Sequence, residues 1–172
     1  MEKEYTITIF SENSIGLLHQ VTIVFTRRKL NIESITASES EVKGVYRYTI
    51  VVRMPEQQIE KVVKQLEKRI GVLKALYFES GDIIHQEIAL YKIANSPSLN
   101  GNLEAIVRDN HARILSVDPE FLVIEKVGYK AETQSLFSQL ESYGVLQFAR
   151  SGRVAISRQR KEFTSYLKEL TV

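Results

Sequence analysis

Two hydrophobic periods alternate along this chain in an order that is written twice. Tyr5 to Phe10 is rich in β-forming residues, a helical stretch lies within Ser11 to Ser34, and Ile32 to Ser40 returns to strand. A polar turn, Glu39 to Gly44, leads into Val45 to Arg53, dense in Tyr, Thr, Ile and Val. Pro55 suits a first helical turn, after which Ile59, Val62, Val63, Leu66 and Ile70 recur at helical spacing until Gly71. Val72 to Glu79 completes a β-α-β-β-α-β order. The second half repeats it. Ile83 to Ala94 is a strand, Asn95 to Ser98 breaks it, and Leu99 to Asn110 is a helix with Leu103, Ile106 and Val107 inward. Arg113 to Val117 and Phe121 to Val127 are strands around the Asp118-Pro119-Glu120 turn. Leu136, Phe137 and Leu140 form a helix stripe, and Val145 to Phe148 and Val154 to Ile156 supply the closing strand material.

Two such units in succession predict an α+β chain of two consecutive ferredoxin-like domains. The boundaries expected are 1–80 and 81–158, joined near Ser80-Gly81-Asp82, with a helical tail over 159–172. In that tail Phe163, Tyr166, Leu167 and Leu170 share one face. The chain has 172 residues, 44% of them hydrophobic, enough for two small cores. It contains no apolar run near twenty residues, no basic-then-apolar start and no cysteine, so the expected setting is the cytoplasm, away from any membrane. A net charge of +2 names no polyanionic partner. Arg150, Arg153, Arg158, Arg160 and Lys161 nevertheless gather without an intervening acid, which reads as a solvated edge or as a docking patch for an acidic surface.

The turn Glu12-Asn13-Ser14-Ile15-Gly16 opens the first helix. Unpaired N–H groups and the positive end of the helix dipole meet there, and both attract a carboxylate or phosphate. Gly16 would let a ligand approach closely. Asn13 and Ser14 have a plainer reading as N-caps, and Asn31 as a left-handed helix terminator.

The inventory for catalysis is poor. His19, His85 and His111 are far apart in sequence, and neither H-E-x-x-H, G-x-S-x-G nor a P-loop occurs. No catalytic residue and no metal ligand is assigned. RNA-recognition motifs share this element order, but their third strand places aromatics in a K/R-G-F/Y-G/A-F pattern. Here Lys43-Gly44-Val45-Tyr46-Arg47-Tyr48 sets the aromatics one position out of phase, which in a strand means the opposite face. A ferredoxin-like RNA-binding module therefore stays a runner-up, with nucleic acid an unfavoured partner.

The run Glu12-Asn13-Ser14-Ile15-Gly16-Leu17-Leu18, followed by Val24-Phe25-Thr26-Arg27-Arg28-Lys29-Leu30-Asn31-Ile32-Glu33-Ser34, resembles the ACT-domain opening of the small, regulatory subunit of acetolactate synthase. That family's pattern is close to E-N-x-x-G-x-L and then L-F-x-R-R-G-Y-N-I-E-S. Ala149 to Arg158 is similar to the C-terminal domain of the same subunit, so the resemblance covers almost the whole chain. It implies that residues 1–80 form an ACT domain that pairs with a second copy into a homodimer. A branched-chain amino acid, with valine expected, would bind across that contact. Asn13, Gly16 and Leu17 of one chain would meet Asn31 and Ile32 of the other. It also implies a large catalytic subunit as partner, which this chain activates and subjects to feedback inhibition. Thiamine diphosphate, FAD and magnesium would belong to that subunit, with no cofactor in this chain. Another ACT-type amino-acid sensor is the alternative. Departures from the pattern are Leu17 where a small residue is frequent, and Ile23 and Lys29 where glycine is common. At Lys29 a left-handed backbone would cost about 1 kcal/mol.

Overall fold

The computed structural model describes residues 2–95, 102–160 and 165. Its elements in chain order are strand β1 (Glu2–Glu12), helix α1 (Leu17–Arg27), β2 (Ile32–Glu39), β3 (Val45–Pro55), α2 (Glu56–Glu67) and β4 (Val72–Phe78), then β5 (Ile83–Ala94), α3 (Asn102–Asp109), β6 (Arg113–Val117), β7 (Phe121–Gly128), α4 (Lys130–Leu140), β8 (Val145–Arg150) and β9 (Val154–Ser157). Two compact units result: one runs to Ile84 and also takes the described residues from Arg153 onward, and the other is His85–Gly152.

In the first unit the antiparallel sheet runs β2-β3-β1-β4. Alternation puts Tyr5, Ile7 and Ile9 of β1 and Tyr48, Ile50, Val52 and Met54 of β3 on one face. The two helices cover that face with Val21, Val24 and Phe25 of α1 and Ile59, Val62, Val63 and Leu66 of α2. The α2 positions are the predicted stripe, with one exception. Ile70 is 88% exposed, because α2 ends at Glu67 and the chain turns at Gly71 with φ 85° before β4. Tyr48 lies in the core and Tyr46 packs on it, so both aromatics of β3 face the helices. That is the phase the RNA-recognition comparison called for, and it leaves no aromatic platform on the open face of β3.

The second unit repeats the plan. Its sheet runs β6-β7-β5-β8, the same order position for position. Ala89, Tyr91 and Ile93 of β5 and Leu122 and Ile124 of β7 meet Leu103 and Val107 of α3 and Leu136 and Leu140 of α4. The buried Tyr91 hydroxyl donates to the Thr133 carbonyl at 2.6 Å, tying α4 to the sheet, and burial pushes its pKa up to about 12. On the other face Ile88 and Val127, direct neighbours across the β5–β7 ladder, are exposed together with Leu90. The predicted helix start at Leu99 and the tail stripe Phe163, Tyr166, Leu167 and Leu170 lie outside the described residues.

Candidate functional site

The turn ahead of α1 is held from below by two backbone bonds. Glu12 N–H donates to the Gly71 carbonyl at 2.8 Å, and Asn13 N–H to the Gly44 carbonyl at 3.2 Å. The chain then swings into the helix through Gly16, whose φ of 86° and ψ of −7° lie in the left-handed region. Space around Gly16 is open, since a Cβ there would meet nothing within 4 Å, so backbone conformation is what demands glycine.

The capping expectation is corrected here. Gly16 occupies the N-cap position and no side chain caps α1; Asn13 and Ser14 come too early, and Ser14 contributes only its carbonyl, to Leu17 N–H at 3.3 Å. Gln20 N–H takes the Gly16 carbonyl at 3.1 Å. Among the described residues the Leu18 and His19 N–H groups have no backbone partner, and these are the donors this helix start presents. The Leu17 side chain is 1% exposed and packs inward toward Gly71, so only its backbone borders the turn. Ile15, by contrast, is fully exposed, and Leu18 is exposed beside it.

At the other end of α1 the left-handed closing residue is Lys29, φ 55°, rather than Asn31. Lys29 N–H bonds the Thr26 carbonyl and Leu30 N–H the Phe25 carbonyl, both at 3.0 Å, which satisfies the last turn before Asn31 is reached. Asn31 is exposed and Ile32 is half-buried against the core at the start of β2.

Asn13, Gly16 and Leu17 thus share one turn, while Asn31 and Ile32 sit elsewhere. Ile32 is opposite Val52, which pairs with Tyr5, whereas Asn13 follows the Glu12–Val45 pair. Seven residues of β1 separate those levels, about 23 Å at the strand rise. Within one chain the two groups are at opposite ends of the sheet.

Three residues escaped sequence reasoning. Arg153, 5% exposed, donates to Thr6 Oγ1 and to a Glu4 carboxylate oxygen, both at 2.7 Å, while its carbonyl accepts from Thr36 Oγ1 at 2.9 Å. It is therefore no member of a solvated edge, and nothing in the spacing of the basic cluster set it apart. Arg150 also turns inward, 3.3 Å from Glu87. Lys126 is 7% exposed because it falls in phase with Leu122 and Ile124 on the helix-facing side of β7, a signal the alternation did contain.

Among the described residues no group of three or more His, Asp or Glu could hold a metal ion, and no helix is long and apolar enough to cross a membrane. Residues 7–74 match the family described as an AHAS small subunit-like ACT domain, and residues 86–159 the family described as the small subunit of acetolactate synthase. The acetolactate synthase small subunit of Bacillus subtilis is 32% identical across 100% of this chain and 99% of its own length. That of Mycolicibacterium smegmatis is 33% identical over 90% of this chain and 91% of its own. The crystal structure of the acetolactate synthase small subunit from Thermotoga maritima superposes with a TM-score of 0.84 at 28% identity, covering 92% of this chain and 99% of that one. With relatives aligned end to end and both units matched separately, the chain belongs to the acetolactate synthase small-subunit family.

Proposed function

We propose that this regulatory small subunit senses a branched-chain amino acid, valine being the expected effector, and passes the signal to a large catalytic subunit that it also activates. In this reading residues 1–80 pair with a second copy and bind the effector, residues 81–158 form the second regulatory domain, and the protein works in the cytoplasm. Thiamine diphosphate, FAD and magnesium belong to the large subunit, and this chain carries no turnover.

The observation that supports it is the pairing of free donors with uncovered apolar surface at one place. Leu18 and His19 N–H groups point out of a glycine turn whose flank is the exposed Ile15 and Leu18, at the end of the sheet where the β2–β3 hairpin also turns. β2 is one of the two edge strands, and Ile35 is partly exposed on it. An antiparallel pairing of β2 with the same strand of a second copy would oppose the start of one β2 to the end of the other. Asn31 and Ile32 would then approach the partner's glycine turn, giving a carboxylate N–H donors and an ammonium asparagine oxygens. The effector can regulate only through its differential affinity for two states, so it must bias this pairing or the docking on the large subunit.

The test is pyruvate condensation by the large subunit alone, by this chain alone, and by the two together, each with and without valine. We expect the mixture to exceed the large subunit alone and valine to inhibit chiefly the mixture. An unchanged rate on mixing overturns the proposal.

A further inference from the structure

We propose that the second unit holds a binding site of its own for a free polar α-amino acid, where the end of α3 meets the start of α4 over β7. It is separate from the glycine turn of the first unit and does not depend on it.

The observation that carries this is Lys126. It occupies a core-facing position on β7, is more than nine-tenths buried, and no hydrogen bond or ion pair to its amine is found among the described residues. Its stem is buried while the amine is not fully enclosed, which leaves the charge available to a ligand. The side chain lines a cavity of about 390 Å³, within the range of small-molecule sites. Gly128 makes room for it: a Cβ there would come within 3.2 Å of Lys126 Cε and 2.7 Å of Glu132 Oε2.

The remaining lining carries both signs of charge. The first turn of α4 offers the Ala131 N–H, since the first backbone bond of that helix is Thr133 N–H to the Tyr129 carbonyl. Glu132 spends one carboxylate oxygen on Tyr129 N–H at 2.6 Å and keeps the other, and Asp109, 3.6 Å from the exposed Arg108 guanidinium, also lines the cavity. His111, held by its left-handed backbone, and Ser135 add polar groups; Ala131 is the one apolar residue in the lining. A simple anion would satisfy Lys126 but face two carboxylates, and a simple cation would do the reverse. A zwitterion answers both: its carboxylate to Lys126 and the Ala131 N–H, its ammonium to Glu132 and Asp109. Because every lining side chain but that of Ala131 ends in a polar or charged group, the side chain selected is polar, unlike a branched aliphatic one.

The experiment is amide NMR of the full-length ¹⁵N-labelled chain, titrated with L-glutamine, with L-serine, and with glutaramate, which is glutamine without its ammonium. Saturable shifts at the His111, Ala131 and Ser135 amides are expected with at least one of the amino acids at up to about 10 mM. Glutaramate should bind about tenfold more weakly or less, a comparison that needs no variant. Lys126→Met, close in volume, should weaken binding at least about tenfold, and Asn13→Ala should leave it unchanged. Absence of saturable shifts at these amides, glutaramate binding as tightly as glutamine, or full affinity in a folded Lys126→Met chain would each overturn the site.

Discussion

Lys29 and His111 hold φ at 55° and 52° at matching places, the residue that closes the first helix of each unit. Both closures use the same pair of bonds, to the third and fifth residues back, so the geometry recurs although neither residue is glycine. The left-handed residue costs about 1 kcal/mol at each, offset by the two backbone bonds that pair the last-turn carbonyls. This division of labour frees Asn31, as Gly16 frees Asn13, from any capping duty. Asn13→Ala and Asn31→Ala should therefore leave the melting temperature near that of the parent, since no side chain caps α1. If each asparagine bonds a charged group of the effector, its loss removes about 1.5–3 kcal/mol and shifts half-inhibition by valine about ten- to hundredfold upward in the reconstituted enzyme. Unchanged inhibition in both variants would remove the two residues from the site.

At the scale of elements, the open face of the first sheet is organised by a strand that arrives late in sequence. Thr6, Thr8 and Thr49 are buried on that face, and Arg153, leading into β9, brings its guanidinium to Thr6 and Glu4, while the Arg47 guanidinium donates to the Ala155 carbonyl. Burial lowers the Arg47 pKa, desolvation being its leading cause. Arg153→Met would strand the Thr6 hydroxyl and leave Glu4, itself partly solvated, without its shortest partner; a loss of about 2–3 kcal/mol is expected in urea unfolding. Adding Glu4→Gln should recover about 1 kcal/mol of that, as expected for groups in direct contact. A change below about 0.5 kcal/mol would mean that Arg153 behaves like a surface residue. The helices and most strands were legible because their periods are local. The partners of Arg153 were not, because they lie 147 and 149 residues away and any of the neighbouring arginines carries the same charge.

For the molecule as a whole, the exposed edge of β2 and the apolar residues at the glycine turn call for a second copy. Light scattering at micromolar concentration should give twice the 19.7 kDa of one chain, and Ile35→Lys on the edge strand should shift the balance toward monomer. A strict monomer in the parent would contradict the pairing. By itself the sequence determined the doubled element order, which faces are apolar, the phase that turns Tyr46 and Tyr48 toward the helices, and the family, since these depend on residue type and spacing along a short stretch. The tertiary structure alone decided that Leu17 turns inward, that Arg153 is buried on a threonine face, and that Lys126 meets a cavity without a partner. Each of those depends on which distant residues the sheet brings within a few ångströms, and pairing across a sheet is set by the packing of the whole unit, which no local pattern encodes.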